Sequence, residues 1–569
     1  MKIKSLIYMA VAGVLSLSSC NKFLDEVPDN RVDPQTPDQL LMMMVDGYSF
    51  GNYAKYCELS SDNIVDNNSP DKEGVRYNLT SAGVIDDEMF AWEDAKSDMA
   101  NDSPSFIWEG AYHAIAVSNH VLDIIKQWED AGRKFEGTDA KKLDAARGEA
   151  YLIRAYNHFV LVNVFCKAYG ATSASDPGIP YVTEPERTVN VHYERGTVAE
   201  TYAKIEEDLK LGLKYVNDNF YEQTKYHFNK KAANAFAARF YLFKREYDKV
   251  VNYANVVLGA EPSTMMRTYW GTNYSSSEAN ILSYVDAKSP SNLLLIPTYS
   301  SFWRSIGVGM RYAVNRDAAT ETLYGQGPSW SNTGFILHPC MIGKLYVNGS
   351  QDYGVYFLKL GELFEYTDKV AGIGFVHMVR TEFTAEETLL CRAEAKIYLK
   401  DFPGAVADLK VWDESRQKLP ANYKFDELTQ ELVEEYYNEA KHQTPANKWD
   451  PRPGLFKKLN IDQVCPSDKY AMTPEMAPYL QCLMHFRRIE TIFDGYRWFD
   501  IKRYGIEVTH KIGRSRVEVL TINDPRRALQ LPSEVIAAGI AGNVRKPELT
   551  IPNGKGYVRY SGGYRVSNK

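Results

Sequence analysis

Pairs of amphipathic helices, recurring along most of the chain, limit the fold more than any other feature. Residues 105–128 place Phe106, Ile107, Ala111, Ile115, Val121 and Ile125 at helical spacing. Residues 139–167 do the same with Leu143, Ala146, Ala150, Ile153, Val160 and Val164, before Gly170 stops the run. A helix with one apolar face must bury it, and the nearest partner is the next helix, so the two predict a hairpin. The pattern returns at 197–217 and 229–258, with Ala232, Ala235, Ala238, Tyr241, Tyr247, Val250, Ala254 and Val257 aligned across a break at Arg245-Glu246. It returns again at 385–415, and a last pair is expected from 426–440 and 475–494.

Ala395, Tyr398 and Ala407 sit at the spacing that tetratricopeptide repeats use, where small residues let helices approach and a tyrosine fills the seam. The expected fold class is therefore mostly α: three to four degenerate tetratricopeptide-like hairpins within about 105–258, 385–415 and 426–505. Such a core grows by stacking, so residues 20–569, after the leader, can form a single composite domain. Two stretches, 50–104 and 262–375, are rich in Gly, Ser, Asn, Asp, Pro and aromatics and lack sustained helical period. They read as long irregular insertions carrying a few short strands, such as Asn292–Ile296 and Lys344–Val347. Connections of this length are usually functional or build a subdomain, so binding loops are expected in them.

Partners are narrowed by charge. Sixty-six basic against 73 acidic residues give a net −7, which leaves no electrostatic footprint for nucleic acid. The aromatic load of 39 Tyr, 24 Phe and 9 Trp must instead fill helix seams or line a ligand surface. Lys2 and Lys4 precede an apolar run from Leu6 to Leu17, too short to span a bilayer, and the run ends in Leu17-Ser18-Ser19-Cys20. This matches a bacterial lipobox, predicting a signal peptide over 1–19 and lipidation of Cys20, with the mature chain 20–569 tethered to a membrane by acyl chains. The alternative is an ordinary secretory signal with an incidental Cys20. The other cysteines, Cys57, Cys166, Cys340, Cys391, Cys465 and Cys482, are widely spread without a CxxC. They read as free thiols, Cys465 and Cys482 being the one near pair.

Minimum catalytic constellations are missing. There is no HExxH or Walker A sequence, and the ten histidines are scattered. The acidic runs Asp86-Asp87-Glu88 and Glu206-Glu207-Asp208 read as solvated surface, not as a glycosidase pair. His338 beside Cys340 lacks a third ligand, and Asp62-Asn63-Ile64-Val65-Asp66-Asn67-Asn68 reads as turns because it lacks the EF-hand pattern. The chain is expected not to be an enzyme and to need no cofactor or metal.

Four stretches together resemble the SusD/RagB family of outer-membrane nutrient-binding lipoproteins. They are Phe23-Leu24-Asp25-Glu26-Val27-Pro28, the helix of 148–170 followed by Gly178-Ile179-Pro180-Tyr181, the segment EETLLCRAEAKIYL at 386–399, and RRIETIFDGYRWFDIKRYG within 486–505. Asp494 and Thr491 depart from the usual Glu and apolar residue, and ALQLPSE at 528–534 matches the closing element less closely. In the last signature Arg487, Glu490, Asp494, Arg497, Asp500 and Arg503 alternate charge every three or four residues, which predicts helical pairing and a structural clamp anchored by Trp498 and Phe499.

The resemblance implies a cell-surface lipoprotein of the outer membrane that captures oligosaccharide or polysaccharide fragments. It would act as a lid over a TonB-dependent outer-membrane channel. Mapped by region, it points to Arg76, Tyr77, Trp92 and Asn101 in the first insertion and Trp270, Tyr274, Tyr299, Trp303 and Trp330 in the second as ligand-binding residues. Trp330, amid turn formers, is the candidate expected to be exposed, whereas Trp92 and Trp303 can alternatively pack the insertions onto the scaffold. Oligopeptide capture, or a repeat scaffold for protein assembly without a small ligand, are the alternative readings.

Overall fold

Helices appear where the period places them, and their ends are fixed by side chains. In a computed structural model of the protein, α1 (Pro104–Asp130) starts at Ser103, whose hydroxyl accepts a hydrogen bond from Phe106 N, with Pro104 as first helical residue. It is followed by α2 (Gly137–Phe165), α3 (Val198–Tyr215), α4 (Lys230–Phe243), α5 (Tyr247–Leu258), α6 (Ala385–Tyr398), α7 (Phe402–Arg416), α8 (Gln430–Tyr436), α9 (Ala477–Glu490) and α10 (Tyr496–Arg503). The structure describes residues 34–545 except 71–73, 75, 77–78, 80–81, 97–100, 189–190, 268–276, 308, 324–326, 331–339, 348–349, 417–425 and 439–454, together with 557–560 and 563–566. The N-terminal segment through Cys20, the 23–28 motif and His338 lie outside these residues.

Helices α1 to α5 pack each on the next, α5 then packs on α6, and α6 on α7 and α9. Residues 259–384 thus leave the stack after α5 and return to it at α6. The seam is sealed by Tyr247 and Tyr398, whose rings stack 4.5 Å apart. Two connections have the same geometry. Arg245 (φ 58°) and Lys400 (φ 62°) adopt the left-handed conformation, and Glu246 N and Asp401 N each donate back to a helix carbonyl, of Tyr241 and Lys396, at 2.9 Å. This is the structural repeat that the degenerate sequence only hints at. Ala395 and Tyr398 are buried as expected, but Ala407 faces solvent and Ala405 takes the seam instead.

The middle insertion is more ordered than its sequence suggests. Strand β1 (Val65–Asp66), from the first insertion, pairs with β3 (Tyr312–Asn315). The others are β2 (Asn292–Thr298), β4 (Cys340–Val347), β5 (Ser350–Phe357), β6 (Leu363–Asp368) and β7 (Ile373–Thr384). They form two antiparallel sheets, in the orders β2-β7-β6 and β1-β3-β5-β4. Strand β7 runs directly into α6, with the Thr384 hydroxyl capping Glu387 N at 3.2 Å, so the first sheet is rigidly joined to the stack.

The clamp expected near the C-terminus exists, but its pairing is different. The chain breaks at 491–495, where Phe493 (φ 67°) and Gly495 (φ 82°) are left-handed, so the charged residues fall on two helices. Only Asp500–Arg503 is a local pair, at 2.8 Å. Arg487 reaches Asp500 across the break at 3.0 Å, and the rest reach away: Glu490 to Arg416 (2.6 Å), Asp494 to Lys359 (2.8 Å), Arg497 to Asp62 (2.7 Å) and Arg503 to Glu394 (2.8 Å).

The acidic runs are only partly solvated: Glu207 is exposed and Asp87 half-buried, but one carboxylate of each run is turned inward. Asp86 pairs with Lys55 at 2.7 Å and Asp208 with Arg154 at 2.6 Å, both carboxylates being buried. Within the 62–68 run, Asp62 and Asp66 bind arginines, and no group of three or more metal-ligating side chains occurs among the described residues. Cys57, Cys166, Cys391, Cys465 and Cys482 are free thiols. No described helix is long and apolar enough to cross a membrane.

Candidate ligand-binding surface

A buried carboxylate joins the two insertions. Asp102, left-handed (φ 69°) in the turn before α1, is fully buried and accepts hydrogen bonds from Ser300 Oγ (2.5 Å), Ser301 N (2.7 Å) and Ser301 Oγ (2.8 Å). Burial raises its carboxyl above the usual range, and Lys55 with the serine donors offsets part of that. The bonds bring exposed Asn101 beside the segment that follows β2.

That segment starts with Tyr299, whose amide donates to Phe50 O at 3.0 Å and whose ring is 39% exposed. Its centroid lies 6.2 Å from that of Phe375, itself 38% exposed, on β7. Strand register explains the meeting. Thr298 pairs with Met378, so the next position of β2 lies opposite His377, and cross-strand partners share a face. Leu363 and Glu365 of β6 pair with His377 and Phe375 and share it too. His377 Nδ1 stands 3.9 Å from Glu365 Oε2 and has no hydrogen-bond partner among the described residues. The result is a ledge of two partly exposed rings edged by an imidazole and a carboxylate. On the opposite face of the same hairpin, Phe364 and Tyr366 are about half exposed with rings 4.8 Å apart.

The predicted residues fare unequally. Tyr299 forms the ledge, and Asn101 is exposed next to Asp102, which is bonded to Ser300 and Ser301. Trp303 is half-buried, edge-on to Tyr356 at 4.6 Å, and so packs the insertion. Trp92 is 1% exposed, stacks on His510 at 4.1 Å and donates from Nε1 to Ser60 O at 2.9 Å, which leaves no ring face for a ligand. Trp330, expected to be exposed, is 3% exposed and lies against His485 and Phe486 of α9, because the turn that carries it folds back onto the scaffold. Arg76 is half-buried, and Tyr77, Trp270 and Tyr274 lie outside the described residues. Phe375, His377 and Glu365 are absent from the sequence-based set. The signal for them is the pair of aromatic-rich runs Leu363–Tyr366 and Phe375–Met378 around a Gly372 turn, a hairpin pattern.

Residues 22–242 match a SusD-like family model described as starch-binding and associating with the outer membrane. That match takes in Asn101 and the scaffold through α4 and ends before the middle insertion. Among solved structures, a SusD superfamily protein from Bacteroides vulgatus is similar at 16% identity over 90% of this chain and 100% of its own, with a TM-score of 0.57. A SusD superfamily protein from Bacteroides thetaiotaomicron, also at 16% identity over 90% and 100% of the two chains, has a TM-score of 0.52. A SusD-like carbohydrate-binding protein from Bacteroides vulgatus, at 14% identity over 88% and 96%, has 0.53. A search of curated proteins finds no match.

Proposed function

We propose that this chain, whose residues 22–242 match a SusD-like family model, is a cell-surface lipoprotein of that family that grips oligosaccharide or polysaccharide fragments on the Tyr299–Phe375 ledge and hands them to a TonB-dependent outer-membrane channel. The observation that carries this reading is the pair of partly exposed rings beside His377 and Glu365. Sugars offer flat C–H faces edged by hydroxyls, which suits stacking on rings with a few directional polar groups at the margin. The family model's starch-binding, outer-membrane description and the lipobox at Cys20 support the location, with the acyl chains as membrane anchor. No catalytic step is assigned to the ledge: capture and transfer need only binding and release.

Calorimetric titration against a panel of soluble glycans tests the ledge. The Tyr299→Ala/Phe375→Ala variant is expected to bind the selected glycan at least thirtyfold more weakly, the loss of about 2 kcal/mol typical of a contact that dominates an interface. Unchanged affinity in a folded variant would sink the proposal. Oligopeptide capture is favoured by one separate observation: β6 is an edge strand of its sheet, open to pairing by an extended chain. The same titration with peptides decides between the ligands.

A further inference from the structure

A second concavity opens on the scaffold, between α1 and residues 180–193, with a volume of about 670 Å³. Its apolar wall is led by Trp108 and Tyr112, rings 4.9 Å apart, one turn from each other on α1. The wall is fixed in place: Tyr112 OH donates to Pro180 O at 2.7 Å and Asn119 Nδ2 to Val182 O at 3.1 Å. The polar part of the lining is one-sided. Asp46, Glu184 and Glu186 supply three exposed carboxylates, while no lysine or arginine is among the described residues that line the cavity. Of the nearby guanidinium groups, Arg187 pairs with Asp123, Arg154 pairs with Asp208 and also donates to Asn119 Oδ1 of the lining at 3.0 Å, and Arg195 is bonded to the carbonyls of Gly178 and Ala541 and to Asn543 Oδ1. Tyr193 OH donates to Glu186 Oε1 at 2.7 Å, placing a third ring under an acid, and His113 Nε2 lies 3.2 Å from Asp46.

Aromatic faces and three exposed carboxylates around one cavity favour a cation over an anion through both ring quadrupoles and charge. We propose that this cavity is a second binding site, for a small organic ligand carrying a protonated amine on an apolar or sugar-ring body. The site shares no side chain with the ledge, and does not depend on what the ledge binds. Phe50 touches both, through its carbonyl to Tyr299 N and its ring to His113 at 5.8 Å.

The test titrates the purified full chain with two amine probes, the β-1,4 glucosamine dimer and the dipeptide Lys-Tyr, and with the form of each in which every amine is acetylated. At least one amine probe is expected to bind, with N-acetylation weakening it tenfold or more and added salt weakening it further. The exposed double variant Glu184→Gln/Glu186→Gln should lose about tenfold. The Tyr299→Ala/Phe375→Ala variant should bind the amine as the wild type does, which separates this site from the ledge. Which probe binds identifies the source of the amine. Binding of neither probe, equal binding of acetylated probes, or unchanged affinity in Glu184→Gln/Glu186→Gln would overturn the assignment.

Discussion

Glu58 is a single residue with a cost that depends on pH. Its carboxylate is fully buried, accepting from Asn63 Nδ2 and from Gly495 N, both at 3.0 Å, and burial pushes it up to about 7. The folded state therefore holds this proton more tightly than the unfolded state does. The resulting stabilisation is complete below the ordinary carboxylate value near 4.5 and is lost as pH rises through about 7. Glu58→Gln removes the titration, so urea unfolding at a series of pH values should show the variant gaining on the wild type by about 3 kcal/mol between pH 4.5 and 8. Parallel profiles would contradict it. At this scale the sequence is least informative. Gly327-Pro328-Ser329 before Trp330 announces a turn, but whether the ring points outward is decided by His485 and Phe486, far along the chain. Trp92 is hidden by His510 in the same way.

The helical elements were legible because each needs only its own period, and the α4–α5 turn because a helix stop is local. The β6–β7 hairpin was not, since its aromatics occupy both faces and blur the alternation that marks a half-buried strand. Seams between helices are equally specific. Gly148 on α2 lies so close to α3 that a Cβ there would meet Val216 N at 2.5 Å and Tyr215 C at 2.6 Å, and Gly212 would press on Leu152 at 2.5 Å. Backbone cannot swing aside as a side chain can. Gly148→Ala is expected to destabilise the fold by about 1–3 kcal/mol despite the better helix propensity of alanine, measured as a lower urea midpoint. A raised midpoint would show the seam to be slack.

Across the whole molecule, the C-terminal signature is the hub that ties distant parts together. Asp62 of the first insertion is held by Arg497 at 2.7 Å and Arg488 at 3.5 Å; burial opposes its charge, but the two guanidinium groups keep its carboxyl well below the usual range. Asp62→Asn would leave both buried cations short of their partner, a loss of about 3–5 kcal/mol. Chemical unfolding should record it, with earlier protease cleavage around 62–70 if the insertion detaches first. Stability within 1 kcal/mol of the wild type would show the tie to be dispensable. The signature was readable as a clamp, but its true partners were not, because helical spacing cannot reveal a left-handed break at Phe493 and Gly495.

Asp102 and its two serines set an order in time. Asp102 is far from Ser300 and Ser301 in the chain, so closing that contact costs more chain entropy than pairing α1 to α5, whose partners follow one another in sequence. A folding intermediate in which only α1 to α5 have paired has half its scaffold but no ledge, since Asp102 has yet to meet its serines. The ledge is thus a late acquisition in folding, assembled when the middle insertion closes onto the turn before α1.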